Sequence, residues 1–368
     1  MEIFDKTRVI FGKDSLKNLN EIKNKDILVI TDEFLYKNKI TDLVTNNLKD
    51  NNITFFYEIN PDPSLSVVSK ALSKLLRKNC EYIVAVGGGS VIDTAKGVLY
   101  FGKSLFKKKH IFIAIPTTSG TGSEVTSIAV IKDEDTNIKH LCQSDEILPD
   151  VAILDVNLTK NLPQSIIANT GIDVLTHSIE AYVSTQSNYY SDALCEKAGE
   201  LIVKNLLLSY DDKENIKAKE NMHIASMLAG LAFQNAGLGL NHSIAHQIGG
   251  FLHIPHGLAN GILINKIIDY NCKCAKAKEK YSIYAKKIGI SDENDNKEKS
   301  IIKLKYFVDI LQNKMNMPKN ISELKVELNS YNRLIEEMAN SALLDNCIST
   351  NPVNVLISDV IKILESIY

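Results

Sequence analysis

The 368-residue sequence contains no tryptophan, no long apolar run, and only six cysteines, which form no repeating framework. A membrane span needs about 20 consecutive apolar residues, so we expect none. Cysteines scattered through a large chain are typical of reduced cytosolic thiols rather than of a disulfide scaffold. The N-terminal "MEIFDKTRVIFGKDSL" has early acidic residues and does not resemble a secretory signal. We therefore expect a cytoplasmic protein.

An excess of charge of one sign is also lacking. The chain has 42 basic and 44 acidic residues, and its formal net charge is −2. This balance provides no general attraction to nucleic acids or to anionic membranes, so we expect neither as a partner. The length exceeds what a single compact core usually holds, which favours two domains.

The first 160 residues alternate short β-rich runs with helical patterns. Short, β-branched apolar runs that end in turn-forming residues are typical of buried strands. The clearest are "KDILVITD", "NITFFYEI", "EYIVAVGGGS", "HIFIAIPTTSG" and "DVAILD". Helical patterns such as residues 64–79 lie between several of them, which favours a largely parallel sheet. We predict an α/β dinucleotide-binding domain over residues 1–160 and an all-α catalytic domain over residues 161–368.

Two loops rich in glycine or hydroxyl groups follow predicted strands in the first domain: "GGGSVIDTAKG" and "PTTSGTGSE". Glycines let backbone amides approach a pyrophosphate, and a helix N-terminus attracts its negative charge. The first loop lacks the GxGxxG pattern of a Rossmann fingerprint, and alone it is explained equally well as a tight turn. Two such loops at strand ends in one sheet favour a ligand crevice.

Asp32 ends the predicted strand "ILVITD". A carboxylate at this place can accept both hydroxyls of an adenosine ribose and would repel a 2′-phosphate. The position therefore predicts a preference for NAD over NADP. An aspartate that only caps the following helix explains the position at least as well.

Histidine is scarce, yet four of the eight histidines lie within residues 242–256. His242 and His246 are four residues apart, as are Asp173 and His177 in an earlier helical segment. This spacing places both members of a pair on one helix face. A carboxylate with imidazoles suits Zn²⁺ or Fe²⁺ better than Mg²⁺ or Ca²⁺. Any single histidine is more simply explained by hydrogen bonding, but the set favours a metal site.

Together these motifs resemble the iron-containing (group III) alcohol dehydrogenases, in the order of that family from about residue 7 to 270. The motifs are "GGGSVIDTAKG", "PTTSGTGSEVT", "LPDVAILD", "NTGIDVLTHSIEAYVS" and "GLGLNHSIAHQIGGFLHIPHGLAN". The nearest likeness, on "AGLGLNHSIAHQIGG" and "MHIASMLAGLAF", is to propanol and ethanol dehydrogenases of propanediol and ethanolamine utilisation. The resemblance implies a dehydroquinate synthase-like fold with the cofactor between its domains. It also implies a homodimer or larger homo-oligomer and an association with a bacterial microcompartment.

The resemblance implies roles for individual residues. The implied metal ligands are Asp173, His177, His242 and His256, and His246 is an implied catalytic residue nearby. The implied cofactor-binding residues are Asp32, Gly88, Gly89, Ser90, Asp93, Thr117, Thr118, Thr121 and Lys139. One departure is Asp62, because "PDPS" stands where the family more commonly has "PNPT". A carboxylate there loses an amide donor to the cofactor.

The implied activity is hydride transfer between NAD(H) and a small primary alcohol or its aldehyde, such as propanol and propanal or ethanol and acetaldehyde. Three neutral imidazoles and one carboxylate would leave an Fe²⁺ site with a net charge of +1, which stabilises an alkoxide. The same ligands also bind Zn²⁺. His246 would either shuttle a proton or orient a ligand, and the sequence does not separate these two roles.

Three other functions compete with this prediction. A dehydroquinate synthase-like lyase, which also uses NAD and a metal, needs cations for a phosphorylated substrate, but residues 221–265 contain neither Lys nor Arg. A non-haem iron oxygenase needs only two histidines and one carboxylate, and has no use for paired phosphate loops. A non-catalytic packing partner inside a microcompartment would not need the complete ligand set.

Overall fold

The computed structural model describes residues 5–135 and 139–368. These residues fall into two compact units, one that extends to Leu162 and one that comprises Pro163–Tyr368. Among the described residues, no helix combines the length and the apolar character that a bilayer span requires. Each unit is considered below by itself.

The first unit is built on a six-stranded parallel sheet. The strands of the chain are β1 (Arg8–Phe11), β2 (Asp26–Thr31), β3 (Asn52–Phe56), β4 (Tyr82–Gly87), β5 (Ile111–Pro116), β6 (Ile128–Lys132), β7 (Lys139–Gln143) and β8 (Val151–Leu154). The order across the sheet is β1-β8-β5-β4-β2-β3, while β6 and β7 form a separate antiparallel pair. All five strands predicted from the sequence are present and parallel to their neighbours, which confirms the predicted fold class of this part.

Both faces of the sheet are covered, which explains its uninterrupted apolar runs. The helices of this unit are α1 (Glu33–Lys37), α2 (Asp42–Thr45), α3 (Leu65–Lys78) and α4 (Gly89–Gly102). Along β4, Ile83 and Ala85 belong to one hydrophobic cluster, whereas Val84 and Val86 belong to another. Successive strand residues point to opposite faces, so a strand buried on both faces needs apolar residues at every position.

The second unit is entirely helical, as the sequence predicted. Its helices are α5 (Gln164–Val183), α6 (Tyr189–Asp211), α7 (Ile216–Ala236), α8 (Leu240–Leu252), α9 (His256–Asn271), α10 (Ala275–Lys287), α11 (Lys297–Lys314), α12 (Leu328–Leu344) and α13 (Ile357–Glu365). Residues 163–368 are all described, and none of them forms a strand. Short connections join most successive helices.

Helix α5 lies at the centre of the second unit. Residues 171–183 are buried on every side of the helix, and α6, α7, α9 and α10 all pack against it. A helix that is buried all round is normally apolar all round. α5 nevertheless carries Asp173, His177 and Glu180 within its buried part. Buried ionisable groups need partners or a metal, so these three residues mark the candidate site.

Candidate metal centre and dinucleotide site

Three of the predicted cofactor segments follow adjacent strands of the sheet. Asp32 follows β2, Gly88 follows β4 and Thr117 follows β5. Strand β4 pairs with β2 on one side and with β5 on the other. The chain passes from β2 towards β3 at one edge, but from β4 towards β5 in the opposite direction. The carboxyl ends of β2 and β4 therefore flank a topological switch point, where open α/β sheets bind nucleotides.

The two predicted phosphate loops pack directly against each other. A methyl group added to Gly88 would lie 3.3 Å from Thr118 Oγ1, and one added to Gly89 would lie 2.8 Å from Thr121 Cγ2. Ser90 follows in the first turn of α4. The small residues thus let threonine side chains lie beside the start of a helix. Hydroxyl groups and helix N-terminal amides are together suited to phosphate oxygens.

Asp32 caps the helix that follows it. Its Oδ1 accepts a hydrogen bond from the Leu35 amide at 2.8 Å, and Asp32 is the N-cap of α1. Burial raises the pKa of Asp32, although the amides of Leu35 and Phe34 favour its charged form. An ionised carboxylate offers about four acceptor positions. Capping the helix is therefore compatible with accepting two ribose hydroxyls, and the two interpretations do not exclude each other.

Asp93 connects the two loops through the interior. Its Oδ1 accepts from the Ser123 hydroxyl at 2.6 Å, and its Oδ2 accepts from the Val130 amide at 3.0 Å. Ser123 Oγ also accepts from the Lys96 ammonium at 2.8 Å. Burial raises the pKa of Asp93 and lowers the pKa of Lys96 to about 8. Asp93 thus ties α4 to the second loop, and a direct contact with the cofactor stays a prediction.

Two further predicted cofactor-binding residues, Thr117 and Lys139, and the family departure at Asp62 lie in or near the loops of the first unit. The Thr117 amide donates to the Gly87 carbonyl at 3.0 Å, which extends the β4–β5 pairing into the second loop. Lys139 begins β7, but its side chain lies outside the described part of the structure. Asp62 has a φ of 58°, in the left-handed region that Asn and Asp adopt more readily than most residues. The aspartate that stands in place of the family's more common asparagine therefore changes the side-chain chemistry, while the left-handed backbone at this position suits both residues.

The four predicted metal ligands come together in the second unit. Asp173 and His177 share a face of α5, His242 lies near the start of α8, and His256 begins α9. One ligand atom from each side chain lies within 4.8 Å of the others. The Nε2 atoms of the three histidines are between 3.5 and 3.9 Å from Asp173 Oδ1. In a tetrahedral site with bonds of about 2.1 Å, ligand atoms are about 3.4 Å apart. The spacing fits one small cation.

The side chain of Asn260 contacts three of the four predicted ligand atoms. Its Nδ2 lies 2.7 Å from Asp173 Oδ1, 3.2 Å from His242 Nε2 and 3.1 Å from His256 Nε2. Asn241 fixes the orientation of this amide by donating to Asn260 Oδ1 at 2.8 Å. A single nitrogen can reach three ligand atoms only if they are directed inwards. One carboxylate and three imidazoles form a donor set that suits Fe²⁺ or Zn²⁺.

The charges around His242 favour a cation. Burial opposes ionisation of Asp173, but the imidazoles of His177, His256 and His242 together outweigh burial and hold the pKa of Asp173 below its usual range. Burial also opposes protonation of His242, but Glu180 and Asp173 raise the pKa of His242 to about 9. The two buried carboxylates thus attract positive charge to this place. Either a proton or a metal ion can supply it.

His246 lies beside this group of four ligands but is not part of it. Its Nδ1 hydrogen-bonds to Asp345 Oδ2 at 2.8 Å, and its ring stacks on His256 with 5.2 Å between centroids. The catalytic role that the resemblance implies for His246 stays a prediction. His253 is the C-cap residue that follows α8, with a φ of 55°, and has an exposed side chain.

Three residues next to the ligands were missed by the sequence analysis. Glu180 lies three residues after His177 on α5, and Asn260 lies four residues after His256 on α9. The helical spacing from a predicted ligand was the available signal for both. Asp345 is separated from its partner histidine by 99 residues. No spacing pattern could have connected them.

Comparison with known proteins matches both units to one family. Residues 6–156 match the family described as "Iron-containing alcohol dehydrogenase", and residues 167–368 match "Fe-containing alcohol dehydrogenase family, C-terminal". The chain is 38% identical to 1-propanol dehydrogenase PduQ of Citrobacter freundii, over 94% of each protein. It is 36% identical to the NADPH-dependent butanol dehydrogenase of Clostridium saccharobutylicum, over 98% of this chain and 96% of that enzyme.

A solved structure supports the same relationship. The crystal structure of a 1,3-propanediol oxidoreductase matches with a TM-score of 0.91 and 29% sequence identity. The match covers 100% of this chain and 99% of the other. Sequence and fold thus point to the same group of proteins along the whole chain.

Proposed function

The chain belongs to the iron-containing alcohol dehydrogenase family, and on that premise we propose that its metal centre is formed by Asp173, His177, His242 and His256. The protein is an oxidoreductase that interconverts alcohols and aldehydes, and the cofactors are NAD(H) and iron. The observation that carries the proposed centre is the convergence of one carboxylate and three imidazoles, drawn from three helices, on a single point.

When bound at this centre, iron supplies Lewis-acid stabilisation of negative charge on the alcohol or aldehyde oxygen. The protein holds the four ligands in place and leaves one side accessible. His256 has 37% of its side chain exposed, whereas the side chains of Asp173 and His242 are almost fully buried. Substrate therefore reaches the centre on the His256 side. Asp173 contributes the only carboxylate of the four proposed ligands, so a divalent cation bound there keeps a net charge of +1.

Two features favour small, uncharged substrates. The ring of Phe233 lies 4.7 Å from the ring of His177 and forms an apolar wall next to the centre. Residues 221–265 contain no Lys or Arg, so this segment provides no cationic side chain to pair with the charge of an anionic substrate. The relatives named above are dehydrogenases of propanol and butanol and an oxidoreductase of propanediol, which are all small neutral alcohols.

His246 offers a place for the proton that accompanies hydride transfer. The hydrogen bond of Nδ1 to Asp345 orients the ring and leaves Nε2 free of that contact. The ring stacks on His256, at the most exposed side of the centre. We propose that His246 exchanges a proton with the alcohol oxygen or with solvent, since an imidazole can both donate and accept a proton.

An NADH-oxidation assay tests the proposed substrate class. Protein is stripped of metal, reconstituted separately with Fe²⁺ and Zn²⁺, and offered neutral aldehydes of two to four carbons. Glyoxylate serves as an anionic aldehyde of similar size. We expect kcat/KM for propanal to exceed that for glyoxylate by at least about tenfold, because residues 221–265 provide no cationic side chain for the carboxylate of glyoxylate. Equal efficiency would contradict the proposed preference for uncharged substrates. No NADH oxidation with any aldehyde and either metal would contradict the proposed centre.

Asp32 is proposed to set the preference for NAD over NADP. The Asp32→Gly variant should lower the ratio of kcat/KM for NADH to that for NADPH by about tenfold, since one repulsive charge near the 2′-phosphate is removed. Asp32→Asn separates charge from capping, because Asn caps helices as well as Asp does. An equal shift in both variants supports the role. An unchanged ratio in both variants would show that Asp32 does not set the preference for NAD over NADP.

Location and assembly stay predictions. The likeness to propanediol-utilisation dehydrogenases supports a cytoplasmic enzyme that associates with a bacterial microcompartment and forms a homodimer or larger homo-oligomer. Sedimentation of the purified protein would measure its oligomeric state, and fractionation of the source cells would measure its location.

A further inference from the structure

Glu180 is a buried carboxylate that the proposed reaction does not use. It lies on α5, three residues after His177, and only 3% of it is exposed. Its Oε2 is hydrogen-bonded to His242 Nδ1 and lies 3.3 Å from the His242 amide nitrogen. Its Oε1 accepts from the Asn241 amide at 2.7 Å. Three N–H groups from the first turn of α8 thus converge on this one carboxylate.

Helix α8 has no capping side chain of its own. Its N-cap residue is Gly239, and an added methyl group there would lie 2.8 Å from Glu180 Oε1. The glycine therefore leaves room for a carboxylate from another helix to cap α8. Asn351 completes the cap by accepting from the Leu240 amide at 3.2 Å. The positive end of the helix dipole also favours a negative charge here. Glu180 consequently fixes the backbone that carries His242.

The side-chain contact decides which nitrogen of His242 faces the centre. A carboxylate only accepts hydrogen bonds, so His242 Nδ1 carries the hydrogen in this pair. The opposite nitrogen, Nε2, lies 3.7 Å from Asp173 Oδ1 and faces the other ligands. A histidine that donates its second N–H to a carboxylate is held in one tautomer and orientation and becomes a stronger ligand.

We propose that Glu180 is a positioning residue that sets the affinity of this centre for its metal, an inference that rests on the ligand set proposed above. Glu180 does not bind the metal, because it contacts the ring nitrogen that points away from the other ligands. It acts on His242 twice, through the start of α8 and through the hydrogen on Nδ1. Neither contact depends on which alcohol the enzyme uses.

The Glu180→Gln variant tests this role. The amide retains the size of the carboxylate but replaces one acceptor with an NH₂ group. If that group faces His242, it donates to Nδ1 and moves the ring hydrogen to Nε2, where it blocks the metal. If it faces Asn241 instead, the NH₂ group and the Asn241 backbone N–H are both donors, so the hydrogen bond between them is lost. We expect the Co²⁺ dissociation constant, measured by chelator competition, to rise about 10–100-fold. The visible Co²⁺ spectrum reports the coordination directly, and circular dichroism checks the metal-free fold.

Two further variants make the outcome decisive. Glu196→Gln is the matched control, because Glu196 accepts from the Tyr182 hydroxyl at 2.8 Å and contacts none of the ligands; we expect wild-type Co²⁺ affinity. Gly239→Ala places a methyl group against the carboxylate and should also weaken binding. It decides the question if Glu180→Gln does not fold. Gly239 has an extended backbone that alanine can adopt.

The outcomes separate this inference from the proposed centre. Wild-type Co²⁺ affinity in a folded Glu180→Gln variant overturns the role of Glu180, as does an equal loss of affinity in Glu196→Gln. Retention of Co²⁺ by a His256→Ala variant overturns the proposed ligand set instead.

Discussion

The His256→Ala variant is expected to retain no metal after dialysis and to lose at least about 10³-fold in kcat/KM for the alcohol. Lewis-acid stabilisation of the reacting oxygen contributes several kcal/mol, and each 1.4 kcal/mol corresponds to about tenfold in rate. Alanine removes one of the four proposed ligands, on the side where the centre is most exposed. Elemental analysis of the dialysed protein and steady-state NADH formation measure the two effects.

A histidine three positions away provides the matched control. His253 is the C-cap residue that follows α8, has an exposed side chain, and lies outside the group of ligand residues. Its φ of 55° favours Asn among the replacements. The His253→Asn variant should therefore keep the metal and full turnover. A metal-free His256→Ala protein with wild-type activity would show that the chemistry does not take place at this centre.

Three of the five strands that the sequence predicted were recognisable for the same physical reason. β2, β4 and β5 lie in the middle of a covered sheet, so their segments are continuously apolar and stand out from the surrounding sequence. Three strands were missed, β1, β6 and β7, and two of them lack this signal. β1 is a four-residue edge strand with partly exposed residues, and β7 has the polar sequence KHLCQ. Such strands are recognisable only by their pairing partners, which the sequence does not show.

The candidate site was predictable where its residues are neighbours on a helix. Asp173 and His177 could be paired by spacing alone, and so could His242 and His246. Spacing alone made His242 and His246 equally good candidates for metal ligands. The family resemblance distinguished His256, as a predicted ligand, from His246, as a predicted catalytic residue. In the fold, the His246 ring is directed to Asp345, at a distance in sequence that no local pattern spans.

The positions that hold the site together were the least predictable. Glu180 is one of many glutamates on helices, and its importance comes from a contact 62 residues away. Gly257 is likewise one of 18 glycines. Gly257 lies in α9, and its importance depends on how closely α9 approaches α5. That approach is a property of packing and not of local sequence.

The Gly257→Ala variant is expected to disrupt the metal centre although it changes no ligand. A methyl group on Gly257 would lie 2.0 Å from the Asn169 carbonyl oxygen and 2.6 Å from its carbon. These are backbone atoms of α5, so no side-chain rotation can relieve the overlap. α9 must move away from α5, and His256 moves with it, away from Asp173. We expect the free energy of unfolding to fall by about 1–3 kcal/mol and kcat/KM to fall by about 100-fold.

A glycine in the neighbouring helix provides the control for the general effect of a glycine-to-alanine change within a helix. Gly250 lies in α8, and a methyl group there would meet no atom within 4 Å. Gly250→Ala should stabilise the protein by about 0.5–1 kcal/mol, because alanine loses less conformational freedom in a helix, and should leave metal binding intact. Thermal unfolding and Co²⁺ titration of both variants make the comparison. If Gly257→Ala bound Co²⁺ as tightly as Gly250→Ala does, the close approach of α5 and α9 would not be what brings Asp173 and His256 to one cation.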